Sequence, residues 1–287
     1  MRKLKVGTRK SPLAMRQTQL VIAALEQVAP NIEVEIVGIS TKGDRLQTAS
    51  LTAIGGKGVF VKEVEQRLLR QQIDFAVHSL KDMPAILPPG LILAATPPRA
   101  DARDCLVLKE AWQEGRPLVI GSSSMRRIKQ LQRPNFRFEP IRGAIETRLA
   151  KMQATMDGTV LACAGLERMG YLAELPFAYP LAVEDCIPAV GQGILAVECR
   201  SEDHELQELL KQIDHEETRI QATAERQFLA AMNGNCDIPL GGHLRRQGQE
   251  WQFAAYLAAS SDAVGRQLLL NGTEPELLVK QAVAALL

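Results

Sequence analysis

Short runs rich in Val, Ile and Leu alternate with stretches of helical period along most of the chain, and this alternation restricts the possible folds more than any other feature. Leu4–Thr8 reads as a strand. Ser11 is a good N-cap and Pro12 suits the first helical position, so a helix is expected to about Val28. Strands are expected at Val34–Ile39, Ile73–Val77 and Leu91–Thr96, with a helix over Val59–Arg70. Pro97-Pro98-Arg99-Ala100-Asp101 marks a boundary. A second α/β unit follows, with strands at Leu118–Gly121, Phe136–Ile141 and Val160–Ala164 and helices at Ser122–Leu131 and Ala144–Met152. Strands that alternate with helices imply parallel sheets. A strand over Ile194–Cys199 and helices over Glu202–Ile213 and Glu216–Met232 come next. The tail differs: Gly241–Arg246, Trp251–Ala258 and Gly265–Leu270 read as antiparallel strands and Glu274–Leu287 as a closing helix, a small α+β domain.

The chain has 287 residues, enough for two or three domains of roughly 100–200 residues each. With 46% hydrophobic and 23% charged residues it is not a disordered chain. Lys and Arg number 34 against 33 Asp and Glu, a net charge of +1. That balance argues against a general nucleic-acid or membrane-surface binder, yet leaves room for a local basic cleft. No apolar stretch approaches the ~18 residues of a membrane helix, and the basic N-terminus lacks the features of a signal peptide. A cytoplasmic protein is therefore expected. The five cysteines, at 105, 163, 186, 199 and 236, form no CxxC pair, so neither a disulfide framework nor a zinc ribbon is indicated. The four histidines show no metal-ligand spacing.

Two segments repeat one device. Val6-Gly7-Thr8-Arg9-Lys10-Ser11 and Ile120-Gly121-Ser122-Ser123-Ser124 each run from a strand through glycine and hydroxyl residues into a helix start. Plain N-capping explains either segment alone. Two of them, each with arginines beside it, favour anion binding at the strand ends. The other cations at predicted loop ends are Lys57, Lys81, Arg126, Arg127, Arg142, Arg148 and Arg168. Singly, each reads as a solvated surface charge. As a set at strand ends they suit a ligand with several carboxylates or phosphates, which arginine grips with a bidentate fork. Thr41–Gly58 has no clear period, and a loop this long is usually functional or mobile.

Asp82, beside Lys81, is either a turn residue or an ionised group that stabilises developing positive charge. Cys236 lies in a polar, glycine-rich loop, whereas Cys105, Cys163 and Cys199 lie in apolar strands. That makes Cys236 the best candidate for a reactive thiol. Gly191-Gln192-Gly193-Ile194-Leu195-Ala196 matches a degenerate dinucleotide pattern, but it follows Pro188 rather than a strand and precedes a strand-like run, so it is rejected.

Together these motifs resemble the porphobilinogen deaminase (hydroxymethylbilane synthase) family. The resemblance is carried by Gly7-Thr8-Arg9-Lys10-Ser11-Pro12, Gly55-Gly56-Lys57-Gly58-Val59-Phe60, Val77-His78-Ser79-Leu80-Lys81-Asp82-Met83-Pro84, Gly121 to Arg127, Arg142-Gly143, Ala164 to Gly170, Pro188 to Gly193, and Cys236 before Ile238-Pro239. It implies a fold of two periplasmic-binding-protein-like α/β domains flanking a cleft, plus a small α+β C-terminal domain. The implied bounds are 1–96 with 194–213, then 99–190, then 216–287. It also implies an enzyme that joins four porphobilinogen molecules head to tail with loss of ammonia, and then releases hydroxymethylbilane by hydrolysis. The growing chain would hang on a dipyrromethane cofactor joined by a thioether to Cys236.

Carried over residue by residue, the catalytic aspartate is Asp82. The cofactor- and substrate-binding residues are Arg9, Ser11, Lys57, Phe60, Lys81, Ser124, Arg126, Arg127, Arg142, Arg148 and Arg168, with Gln192 in a hinge-like crossing segment. The resemblance further implies a monomer, with possible handover of product to the next tetrapyrrole enzyme. Two positions depart from the family pattern: Asn235 stands where glycine is usual, and Ala144 where asparagine commonly follows Arg-Gly. The Ala144 change removes a polar group beside the Arg142 site. A non-catalytic two-lobed anion-binding protein is the competing reading. It accounts for the cations but gives no role to Cys236.

Overall fold

The computed structural model describes residues 3–41, 61–232, 238–258 and 263–287. The chain divides into two compact units, one of residues 1–99 and 194–223, the other of 100–193 and 224–287.

In the first unit, β1 (Leu4–Arg9), β2 (Val34–Ile39), β3 (Phe75–Ser79), β4 (Leu91–Ala95) and β10 (Leu195–Arg200) form one sheet in the order β2-β1-β3-β10-β4. Helix α1 (Pro12–Val28) starts as its sequence predicts: Ser11 is extended, and its hydroxyl accepts the Ala14 N–H. The apolar face of α1, with Val21 and Leu25, packs on Val6, Phe75, Val77 and Val197. Helix α6 (His204–Lys211) adds Leu206 and Leu210 to that layer. On the opposite face Val64 and Leu68 of α2 (Lys62–Leu69) meet Ile39, Ile73 and Ala76. Both faces are covered, which is why β3 and β10 read as almost unbroken apolar runs rather than alternating ones.

The second unit repeats the plan. Strands β5 (Asp104–Leu108), β6 (Leu118–Gly121), β7 (Phe136–Glu139), β8 (Gly158–Ala162) and β9 (Ala178–Pro180) follow the order β7-β6-β8-β5-β9. Between them run α3 (Met125–Gln130), α4 (Ile145–Thr155) and α5 (Cys163–Arg168). Helix α7 (Glu216–Ala231) spans the residues at which the two units divide. A separate three-stranded antiparallel sheet, β11 (Leu240–Gln247), β12 (Glu250–Leu257) and β13 (Arg266–Gly272), is closed by α8 (Pro275–Leu286), as the tail's sequence predicts. Ala254 and Tyr256 of β12 pack on Val183 and Ile187.

The expectation of parallel sheets holds for only part of each sheet. β1 pairs in parallel with β2 and β3, and β6 with β7 and β8. β10 is antiparallel to β3 and β4, and β5 is antiparallel to β8 and β9. Each reversed strand is the first strand after the chain passes from one unit to the other. It enters its sheet without a preceding crossover helix, so the rule that makes βαβ units parallel does not govern it. The second passage is tight. Gly193 has φ +87°, and a Cβ there would lie 2.4 Å from the Ala100 carbonyl oxygen.

The Ala144 departure has a local consequence. Ala144 is the N-cap of α4, with φ −62° and ψ 167°, and no side chain caps the helix start. An asparagine in that conformation can accept one of the orphaned first-turn N–H groups. Ala144→Asn is expected to stabilise the protein by about 1 kcal/mol, read as a rise of a few degrees in thermal midpoint. An unchanged midpoint would mean that α4 gains nothing from a cap.

Candidate functional site

Parallel strands deliver their C-terminal ends to one edge of a sheet, and in each unit some of the predicted residues stand at that edge. In the first unit β1 ends at Arg9 and leads through Lys10 and Ser11 into α1. Its neighbour β3 ends at Ser79, and Leu80–Asp82 forms a single 3-10 turn. Leu80 and Met83 are buried in an apolar cluster with Ile194, Ala196 and Ala222, and they pin both ends of that turn. Lys81 and Asp82 between them are half-buried. Side chains tie α1 to the end of β3, since Gln17 and Ser79 exchange hydrogen bonds of 2.9 and 3.2 Å.

Behind this edge lies a cluster that sequence reasoning missed. His78 of β3 is 3.1 Å from Glu198 of β10, and both are buried. Glu65 of α2 is buried against the same pair, and one oxygen each of Glu65 and Glu198 has no hydrogen-bond partner. Burial, and next the Glu198 charge, push the Glu65 carboxyl up to about 7, against weaker opposing effects of His78 and Lys62. The available signal was faint: Glu198 is the one Glu inside the apolar run of β10, while Glu65 is one of two glutamates in the largely polar segment of α2.

In the second unit Gly121 ends β6, and Ser122–Ser124 lead into α3. Ser124 occupies the N-cap without a side-chain capping bond, while the Ser122 hydroxyl accepts its N–H at 3.2 Å. Arg126 and Arg127 are not solvated surface charges, because both are buried. Arg126 Nη1 lies 2.7 Å from Asp104 Oδ2 and donates to the Ile187 carbonyl at 2.6 Å. Arg127 donates through Nε to Asp104 Oδ1 at 3.0 Å and through Nη1 to the Val160 carbonyl at 2.8 Å. Gln192 donates to the same Asp104 oxygen and to the Ala102 carbonyl, both at 2.8 Å. Asp104 is fully buried. Burial alone would raise its pKa, but the two guanidinia outweigh it and hold the carboxyl far below the usual range.

The remaining cations lie along the same unit. Arg148 donates through Nε to the Gly143 carbonyl at 2.8 Å. Gly143 has φ +117° and lies so close to Thr147 that a Cβ would approach it to 2.9 Å. The Arg142-Gly143 turn therefore needs glycine. Arg168 donates through Nη2 to the Gly193 carbonyl at 2.7 Å, and burial lowers its pKa to about 10. Cys186 Sγ sits 3.4 Å from Asp104 Oδ2, and burial pushes this thiol up to about 12, so it is inert. Lys57, Phe60 and Cys236 lie outside the described residues. Among the described residues no group of His, Cys, Asp and Glu could hold a metal ion, and no helix is long and apolar enough to cross a membrane.

This donor set fits a ligand bearing several carboxylates. The contacts of Arg126 among the described residues run through Nη1.

Comparison with known proteins gives consistent matches. A family model described as "Porphobilinogen deaminase, dipyromethane cofactor binding domain" matches residues 4–208, and one described as "Porphobilinogen deaminase, C-terminal domain" matches 219–287. The porphobilinogen deaminase of Exiguobacterium sibiricum is 50% identical over 250 residues, covering 84% of this chain and 80% of its own. That of Bacillus subtilis is 45% identical over 291 residues, covering 99% and 92%. That of Streptococcus sanguinis is 46% identical over 294 residues, covering 100% and 96%. Among solved structures, the periplasmic aliphatic sulphonate binding protein of Escherichia coli is 14% identical with a TM-score of 0.40, over 80% of this chain and 70% of that one.

The Glu65 cluster yields a pH prediction. The folded carboxyl titrates near 7 against 4.5 for an unperturbed one, so between these values the folded state binds the extra proton. Stability then falls as pH rises through that window. Glu65→Gln is expected to raise the thermal midpoint by several degrees at pH 8 and by little or nothing at pH 4.5. An equal effect at both pH values would rule out the raised Glu65 pKa.

Proposed function

The chain belongs to the porphobilinogen deaminase family, and we propose that its strand-end cations bind the carboxylates of a growing pyrrole chain while Asp82 stabilises the positive charge of each condensation. The enzyme is a transferase that joins porphobilinogen units with loss of ammonia and releases the linear tetrapyrrole hydroxymethylbilane. Each porphobilinogen carries one acetate and one propionate, so the bound chain gains two negative charges per step.

One observation carries the assignment of the binding residues. Arg126 and Arg127 are buried side by side against a single carboxylate, which leaves one net positive charge at the start of α3. In such a place a charge-assisted hydrogen bond is worth about 1.5–3 kcal/mol. The dipyrromethane cofactor, when bound, supplies the anchored end to which units are added. In this reading Cys236 holds it through a thioether, and Ser124, Arg126, Arg127, Arg142, Arg148 and Arg168 bind carboxylates. Arg9, Ser11, Lys57, Phe60 and Lys81 are assigned the same task.

Asp82 follows from its place. It stands on a turn fixed at both ends by buried apolar side chains, with Lys81 beside it. An ionised carboxylate held there accepts a pyrrole N–H and stabilises the cationic character that develops as ammonia departs from the substrate. A preorganised charge of this kind costs no reorganisation when the reaction occurs. A cytoplasmic monomer that passes its product to a following tetrapyrrole enzyme completes the reading. The three-domain division, with 216–287 as the cysteine-bearing domain, belongs to it as well.

Intact-mass spectrometry tests the attachment. The purified enzyme is expected to carry an increment of two porphobilinogen-derived units, and Cys236→Ser to lack it. Fully active protein of unmodified mass would defeat the assignment and favour a simple anion binder. Asp82→Asn is expected to retain the increment and lose about 100-fold or more in turnover. Normal turnover would remove Asp82 from the chemistry.

A further inference from the structure

Asp104 has no part in the reading above, yet it touches more of the proposed machinery than any other buried residue of its unit. It opens β5, directly after the chain enters that unit. Its two oxygens are divided between the two arginines. Oδ2 takes Arg126 Nη1 at 2.7 Å, and Oδ1 takes Arg127 Nη2 at 2.8 Å together with Arg127 Nε. Gln192 Nε2 binds the same Oδ1. A backbone carbonyl then fixes each guanidinium from a second direction, Ile187 for Arg126 and Val160 for Arg127.

A buried group that served the fold alone would be expected to balance its charge. This one does not, because one carboxylate faces two guanidinia, and two like charges held together out of water are unfavourable unless further anions compensate. The surplus is one positive charge, the complement of one ligand carboxylate.

We propose that Asp104 is a positioning residue for the reaction. It orients the guanidinia of Arg126 and Arg127 and cancels one of their two charges, so that a substrate or cofactor carboxylate supplies the second. Removing the carboxylate would leave the arginines mutually repelling and free to turn from the ligand. Keeping it, while Gln192 holds Oδ1 from the other side, fixes the edge that each arginine presents. The inference rests on the reading of Arg126 and Arg127 as carboxylate-binding residues, and its test separates the two.

The variants are Asp104→Asn, Asp104→Glu, Arg126→Ala and Arg127→Ala, each compared with the parent at a temperature where circular dichroism shows the parent fold. Two quantities are read: the mass increment gained by apoprotein incubated with porphobilinogen, and KM against kcat for porphobilinogen in the loaded enzyme. Asp104→Asn keeps the shape and loses the charge. It is expected to load slowly and to raise KM about tenfold or more, with kcat changed far less. Asp104→Glu keeps the charge on a longer arm and is expected to fall between the parent and Asp104→Asn. A folded Asp104→Asn that loads and binds like the parent, beside arginine variants that do not, overturns this inference alone. Arginine variants that also behave like the parent overturn the underlying reading of the site. If Asp104→Asn does not fold, Asp104→Glu decides, and a parent-like KM there overturns the proposal. Failure of both to fold assigns the carboxylate to stability and overturns it equally.

Discussion

Positive charges resist being gathered inside a folded domain, and the structure depends on how that resistance is met. Each guanidinium taken out of water loses hydration and repels its neighbours. Here Arg126 and Arg127 are secured by one shared carboxylate and by one backbone carbonyl each. Arg168 and Arg148 use backbone carbonyls, at Gly193 and Gly143. Carbonyl oxygens orient a guanidinium without neutralising it, so these contacts leave the positive charge in place.

The topology supplies the place. Four strands of each five-stranded sheet run the same way, and the reversed strand begins at the edge where its parallel neighbours end: β5 opens with Asp104 opposite Ala162 at the end of β8. The carboxylate that pairs with both arginines thus arrives from the opposite direction, on the strand that runs against its neighbours. The same entry brings Ala102 within reach of Gln192, so the passages of the chain into and out of the unit are tied to the group that orders the arginines.

Local chemistry made part of this legible. Ser11-Pro12 set the start of α1 because capping and φ preference act within a few residues. The hydroxyl- and cation-rich strand ends stood out because their composition departs from the apolar strands before them. The reversal of β5 and β10 was not legible, since strand direction depends on where the chain enters the sheet and not on any residue in the strand. Arg126 and Arg127 were recognisable as cations, but their burial was not, because it depends on Asp104, some twenty residues away and outwardly an ordinary strand-opening aspartate. The loss of the α4 cap could be read from Ala144 only as a missing polar group; its cost became definite once that residue was seen in N-cap geometry.

Two buried carboxylates show how one residue class is turned to opposite ends. Asp104 meets two guanidinia, which outweigh its burial and hold its carboxyl well below the usual carboxylate range. Glu65 meets Glu198 and the single histidine His78, with an oxygen left unpartnered, and its neutral form is favoured up to about 7. The first arrangement fixes a charge between two buried cations. The second tolerates a change of charge, and it lies on the far side of β3 from the Gln17–Ser79 link, in the layer under α2. A fixed anion among the arginines and an adaptable acid beneath the sheet follow from one rule. The partner that each carboxylate finds when it is withdrawn from water decides whether it keeps its proton, and in this chain that partner is set by which strand or helix the topology lays across it.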